Sequence, residues 1–300
     1  MLFSKRLMRW LRITIGLLCA LYLSACTALY LKQNQLLYHP SSVTPANQKA
    51  SVAWPHDGQI LRITQVVRTG QQAVIYLGGN AEDVRHTAIR LAELFPTHSI
   101  YAMNYRGYAG STGEPNERAL VGDALALFDK IHATHPHVQV MGRSLGSGVA
   151  VQLAHARPIE RMVLVTPFDS IAAVAGAHYP YLPISMILKD TYRSVRYAPE
   201  IKIPVTVLVA GQDETIPPAH AHRLAQAFLP QWVTVVNFEG AGHNTISSQP
   251  DFWMHVVQGL SGTEQVNSED TLCTGTDAMV HELDCMVRQD RKTTAKTLGQ

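Results

Sequence analysis

Ser144 stands at the centre of Gly142-Arg143-Ser144-Leu145-Gly146, a spacing that suits a serine attacking an acyl carbon. Glycines on both sides let the chain turn sharply where a larger side chain would crowd the neighbouring backbone. The β-branched run Val138-Gln139-Val140-Met141 precedes the turn, and residues 147–154 after it read as a helix. Strand, tight turn and helix is the setting in which such a serine projects outward as a nucleophile elbow. A serine hydroxyl is a weak nucleophile near neutral pH. It needs a base within hydrogen-bond reach, normally a histidine whose second nitrogen is held by a carboxylate.

The chain has 14 histidines, and His243 stands apart from the rest because it sits in Glu239-Gly240-Ala241-Gly242-His243-Asn244, just after the apolar run ending at Val236. Small residues there allow a loop to carry an imidazole over a strand end. His220 and His222 fall on a helix away from the strand ends, and His178 falls in an aromatic insertion. The order nucleophile, acid, histidine places the carboxylate after the preceding strand, within Gly211-Gln212-Asp213-Glu214-Thr215-Ile216-Pro217. Asp213 is the choice, with Glu214 turned away by the following helix. Asp169, after the strand ending at Val165, is the rival. A tetrahedral intermediate also needs donors for its oxyanion. The amide of Leu145, at a helix start whose dipole favours negative charge, is one expected donor. The amide of Asn80, in Gly78-Gly79-Asn80 after the strand ending at Leu77, is the other.

The elements that must position these residues follow in regular alternation. An alternating segment, residues 60–67, reads as an antiparallel strand near a sheet edge. Apolar runs at 73–77, 99–103, 138–141, 161–165, 205–209 and 233–236 alternate with helical patterns. This predicts an α/β fold with a mostly parallel, doubly wound sheet covered on both faces. The alternation lapses between Thr166 and Pro204, where Tyr179, Tyr181, Tyr192 and Tyr197 accompany Pro180 and Pro183. A small lid over the catalytic rim is expected at about 168–200. Residues 263–300 are polar or charged and are expected to form a weakly ordered tail.

Composition narrows the functional classes. Four of the 25 basic residues, Lys5, Arg6, Arg9 and Arg12, lie in the first twelve positions. The other 21 face 23 acidic residues, and no basic cluster marks the body, so a nucleic-acid partner is not expected. The basic start leads into an apolar run from Ile13 and then Leu23-Ser24-Ala25-Cys26. Residues 1–25 therefore read as a signal peptide or membrane anchor, and 26–262 as the folded domain. The residues around Cys26 resemble a lipobox, with Cys26 acylated after cleavage. The competing reading is an uncleaved anchor extending to Leu31. Both leave the basic flank in the cytoplasm and export the rest of the chain. In an oxidising compartment, Cys273 and Cys285 either pair or remain free thiols.

Several segments together resemble the membrane-anchored α/β-hydrolase-domain serine hydrolases, including bacterial exported homologues. The resemblance rests on Gly79-Asn80-Ala81-Glu82-Asp83, on residues 104–115 (NYRGYAGSTGEP) and on Gly142-Arg143-Ser144-Leu145-Gly146. Residues 35–40, 180–183 with Asp190, and 213–217 extend it from about Asn34 to Leu260. One departure is Gly78, where that family usually carries a histidine bracing the oxyanion loop. The resemblance implies an α/β-hydrolase fold that cleaves ester or thioester bonds, with lipid-like acyl groups favoured by the membrane tether. Neither a metal nor an organic cofactor is expected, and the chain is expected to act as a monomer on a small acyl substrate. Two alternatives share the same residues: a serine peptidase of the aminopeptidase-like branch, and a catalytically silent binding lipoprotein.

Overall fold

A computed structural model describes residues 2–45 and 49–262. The expected tail at 263–300, with Cys273 and Cys285, lies outside the described residues. The chain opens with helix α1, Leu2–Leu37, which is 36 residues long. Its stretch Lys5–Leu37 contains an 18-residue window with a mean hydropathy of 1.8 that is not buried by the rest of the chain. At 1.5 Å per residue, a helix of about 20 residues already matches the ~30 Å hydrocarbon layer of a bilayer. Length and composition therefore suffice for α1 to cross a membrane.

Eight strands form one sheet: β1 (Ser51–His56), β2 (Gln59–Val66), β3 (Gln72–Leu77), β4 (Ser99–Asn104), β5 (His137–Arg143), β6 (Met162–Val165), β7 (Val205–Ala210) and β8 (Val233–Phe238). Their spatial order is β1-β2-β4-β3-β5-β6-β7-β8. The β1–β2 and β2–β4 pairs are antiparallel, and every later pair is parallel. The sequence reading found β2 but not its partner β1. Pro55 interrupts β1, and only Ser51 of that edge strand is buried, so it lacks a clear apolar alternation.

The central strands are buried on both faces, which explains their unbroken apolar runs. Ile75 and Leu77 point into one core with Val140, Leu164 and Val207. There they meet helices α3 (Glu117–His132), α4 (Leu145–Ala156) and α8 (Pro218–Ala227) through Leu120, Leu127, Val149 and Leu224. Val74 and Tyr76, one residue out of phase, point to the opposite core with Met141, Val163 and Leu208. Helices α2 (Val84–Leu94) and α9 (Phe252–Ser261) close that face through Leu91, Phe252 and Val256. Asp83 caps α2 and Asn116 caps α3, each side chain accepting a backbone N–H of the first turn.

Between β6 and β7 the chain forms three short helices: α5 (Ile171–His178), α6 (Ile184–Ile187) and α7 (Ser194–Tyr197). The insertion is not uniformly superficial. Tyr192 is fully buried, its ring standing edge-on to Phe168 at 6.4 Å. Both rings lie against Gly148 of α4, where a Cβ would come within 2.9 Å of either one. The tyrosines that prompted the lid reading thus divide between core and surface.

Candidate active site

The parallel strands β3, β5 and β7, with β8, all end at one edge of the sheet. That is where ligands of open α/β sheets bind. Ser144 follows β5 with φ 50° and ψ −118°, a left-handed conformation unusual for a residue with a side chain. Such a conformation costs on the order of 1–3 kcal/mol and persists only when the surroundings over-determine it. Here they do. The Ser144 N–H donates to the Val165 carbonyl at 2.9 Å, and the Ser144 carbonyl accepts from the Ser147 N–H and hydroxyl at 2.9 and 2.6 Å. A Cβ at Gly142 would stand 2.6 Å from the Gly146 carbonyl oxygen, and one at Gly146 would meet the carbonyl oxygen of Gly78 at 2.6 Å. Both glycines are therefore forced by the closeness of strand, helix and neighbouring loop.

The half-buried Ser144 Oγ lies 3.0 Å from His243 Nε2, and His243 Nδ1 lies 2.6 Å from Asp213 Oδ2. The carboxyl group of Asp213 is almost fully buried, and its other oxygen accepts the backbone N–H groups of Thr215 and Ile216 at 2.9 and 2.7 Å. Charge-assisted bonds of this kind fix a carboxylate's orientation. The loops carrying acid and imidazole are joined by Gly211 N–H to the Phe238 carbonyl, 2.9 Å, and Gln212 N–H to the Ala241 carbonyl, 2.8 Å. Glu214 points to solvent.

Asp169, the rival acid, is engaged elsewhere. Its Oδ1 lies 2.7 Å from His220 Nδ1, and its Oδ2 accepts from Arg223 Nε at 2.6 Å. This corrects the placement of His220 away from the strand ends. The first turn of α8 brings it against the residues that follow β6, where it ties α8 to the base of the insertion.

The loop after β3 passes beside Ser144: a Cβ on Gly79 would lie 3.6 Å from that of Ser144. The Gly79 N–H is taken by Glu82 Oε2 at 2.7 Å. Among the described residues, nothing in the chain accepts the amide N–H of Asn80 or of Leu145. The Asn80 side chain is fully engaged. Its Oδ1 accepts from the His39 N–H at 2.8 Å and the Tyr108 hydroxyl at 2.6 Å, and its Nδ2 donates to the Leu37 carbonyl at 2.6 Å. The end of α1 is thus fastened to Asn80, in the loop that passes beside Ser144.

Two participants escaped the sequence reading. Glu82 accepts from the Tyr76 hydroxyl (2.6 Å), the Thr87 hydroxyl (2.9 Å) and the Gly79 N–H, and it lies 3.7 Å from Arg143. Burial, and next the Glu82 charge, push the Tyr76 phenol well above its ordinary pKa, so it stays a neutral donor. A Cβ at Gly78 would meet Val84 Cγ1 at 2.5 Å, so a side chain there would have to displace Val84; Glu82 holds the loop through the Gly79 N–H. Arg143 connects Glu82 to the histidine loop, its Nη2 lying 3.4 Å from the His243 carbonyl and 3.3 Å from Asn244 Oδ1. Glu82 lies in the segment 79–83 and Arg143 between Gly142 and Gly146, but nothing in their spacing announces a role. Among the described residues, no group of three or more His, Cys, Asp or Glu side chains is arranged to hold a metal ion.

Comparison with known proteins agrees with this geometry at the level of family. Residues 109–269 match the model of the dienelactone hydrolase family. A Mycobacterium tuberculosis protein of uncharacterised function is 34% identical over 235 residues, covering 73% of this chain and 83% of its own. The lysophosphatidylserine lipase ABHD12 of Xenopus tropicalis is 28% identical over 234 residues, with 67% of this chain and 60% of that protein covered. An esterase of Pyrococcus furiosus superposes with a TM-score of 0.60 at 18% identity, covering 75% of this chain and 99% of the other. The α/β hydrolase MGS-M2, from a deep-sea metagenome library, superposes at 0.58 with 14% identity, covering 73% and 100%. At those identities the two structures attest the fold.

Proposed function

This chain belongs to the dienelactone hydrolase family of the α/β-hydrolase superfamily, and on that premise we propose that it is a membrane-tethered serine hydrolase of carboxylic ester or thioester bonds with lipid-like acyl groups. The observation that carries the proposal is the unbroken hydrogen-bond relay from Ser144 Oγ through His243 to Asp213, at 3.0 and 2.6 Å. Ser144 Oγ attacks the acyl carbon as His243 Nε2 takes its proton, and Asp213 stabilises the imidazolium that forms. The amides of Leu145 and Asn80 hold the oxyanion. His243 then returns the proton to the leaving alcohol or thiol, and water, activated by the same imidazole, releases the acyl group from Ser144. Ser144→Ala is expected to lower p-nitrophenyl butyrate turnover by at least about 10³-fold with an unchanged melting temperature; undiminished turnover would remove Ser144 from the mechanism.

An ester is preferred over a peptide because the carboxylate in the insertion, Asp190, is not free to pair with a substrate amine. Asp190 is buried and accepts from the Tyr38 hydroxyl at 2.8 Å. For the tether, the retained helix is preferred over acylated Cys26. The Tyr22 hydroxyl donates to the Tyr181 carbonyl at 3.0 Å, a bond upstream of Cys26 that only an uncleaved chain can make. With the basic flank inside, the domain sits on the extracytoplasmic face. The mass of the purified protein separates the two: an intact N-terminus for the anchor, loss of residues 1–25 with added acyl chains for the lipoprotein.

A further inference from the structure

Residues 179–188, Tyr-Pro-Tyr-Leu-Pro-Ile-Ser-Met-Ile-Leu, contain no charged side chain and are bounded by His178 and Lys189. Despite this composition they are prominent at the surface: Tyr179 is 58% exposed, Tyr181 89% and Met186 85%. Single exposed apolar residues need no explanation, but a contiguous uncharged patch marks a contact surface.

Two sets of contacts fix this patch against α1. Near the body, Gln33 Nε2 donates to the Ile187 carbonyl at 3.3 Å and the Lys189 N–H donates to Gln33 Oε1 at 2.7 Å. The Lys189 ammonium stands 4.3 Å from the centre of the Tyr30 ring. A lysine and a tyrosine paired at one level is the chemistry of a membrane–water interface. Farther out, Tyr22 donates to the Tyr181 carbonyl. Tyr22 lies eleven residues before Gln33, which at the helical rise is about 16 Å farther along the axis. At that level α1 exposes Leu17, Leu18, Leu21 and Leu23. Whatever solvent surrounds those leucines surrounds Tyr181 as well.

We propose that residues 179–188 are a second membrane contact, inserted beside α1 into the acyl layer of the extracytoplasmic leaflet, with Lys189 and Tyr30 at the headgroup level. The proposal rests on the reading that α1 crosses the bilayer. The insertion is also joined to the site: His178 Nε2 lies 3.2 Å from the carbonyl of Thr215, two residues beyond Asp213. In this arrangement the insertion runs from the leaflet to the loop of Asp213, offering an acyl chain a route toward Ser144 that avoids bulk water.

The test uses the full chain reconstituted in phosphatidylcholine–phosphatidylglycerol vesicles, with and without bromine on the lipid acyl chains. Tryptophan is added at three places: Tyr181→Trp in the patch, Leu17→Trp on α1, and Ile60→Trp, exposed on β2, as the aqueous control. Brominated lipid is expected to quench the indoles added at 181 and 17 by at least about half, the range expected for a ring within the acyl layer, and to leave that at 60 unaffected. Quenching at 17 without quenching at 181 overturns the inserted patch and leaves the anchor standing. No quenching at either position overturns both. An unquenched indole at 181 in a chain that forms a dimer assigns the patch to a second copy and overturns the proposal. Separately, Tyr181→Ser/Met186→Ser is expected to cleave a vesicle-borne long-chain ester about tenfold more slowly and soluble p-nitrophenyl acetate at the parent rate. Unchanged rates on both substrates, or equal losses on both, overturn the leaflet route.

Discussion

At the scale of single residues, the carboxylate of Glu82 shapes the loop after β3. Glu82 gathers a tyrosine, a threonine, a backbone amide and Arg143 around one partly buried carboxylate. Removing it leaves the Gly79 N–H and the Tyr76 hydroxyl without acceptors. Each buried polar group stranded in this way costs about 1–3 kcal/mol. Glu82→Ala is expected to lower kcat on p-nitrophenyl butyrate by roughly 10–100-fold, the scale of a misplaced oxyanion donor, with KM little changed. A KM effect alone would make Glu82 a substrate contact instead. The substitution Gly78→His must displace Val84 Cγ1 and is expected to destabilise the fold by about 1–3 kcal/mol, as over-packing does. Chemical denaturation measures it, and an unchanged midpoint would show that the loop has more room than its contacts indicate. The site was legible unevenly. Ser144, Asp213 and His243 were found from the order of strand ends, and they meet within hydrogen-bond distance. Glu82 and Arg143 were not, because a carboxylate that braces a loop leaves no spacing pattern of its own.

At the scale of elements, α1 is long and apolar enough to cross a membrane, and its end is bonded to the loop beside Ser144. Its last residue, Leu37, and His39 beyond it bond to Asn80, and Tyr38 places its hydroxyl 2.9 Å from that of Tyr192 and 2.8 Å from Asp190. Burial is the main cause raising the pKa values of both tyrosines, so this cluster remains a neutral hydroxyl pair on one carboxylate. A chain begun at residue 27 keeps every one of these bonds and is expected to retain the parent rate on a soluble ester. A chain begun at residue 41 loses them and is expected to fall by about tenfold or more, the effect of a loosened oxyanion loop. Equal rates for the two would reduce α1 to an anchor. The helices and central strands were readable from periodicity, since burial on both faces demands continuous apolar runs. Strand β1 escaped because an edge strand with five of its six residues at least partly open carries no such demand. The insertion was recognised as a lapse in alternation, but its division between buried Tyr192 and exposed Tyr181 depends on packing with α4 and α1, which local sequence does not encode.

At the scale of the molecule, stability should depend on pH through buried histidine. Burial lowers the His98 pKa from its ordinary 6.5, so the ring is neutral when folded and becomes protonable on unfolding. A depressed histidine favours the folded state above about pH 6.5. That contribution is lost as pH falls through 6.5 toward the folded value, because the unfolded chain then binds the extra proton. His98→Asn is therefore expected to lose less stability than the parent between pH 7.5 and pH 5.5 in urea melts, and parallel losses would exclude His98 as a source. A strained serine and its hydrogen-bonded partners stand at the carboxyl edge of the sheet, with the end of the apolar helix fastened to Asn80 in the loop after β3. Labelling of the full chain with a fluorophosphonate, followed by peptide mass mapping, probes the nucleophile itself. One adduct, on Ser144 and lost in Asp213→Ala and His243→Ala as well as Ser144→Ala, is the expected result; an adduct on any other residue, or labelling that survives loss of His243, would contradict it.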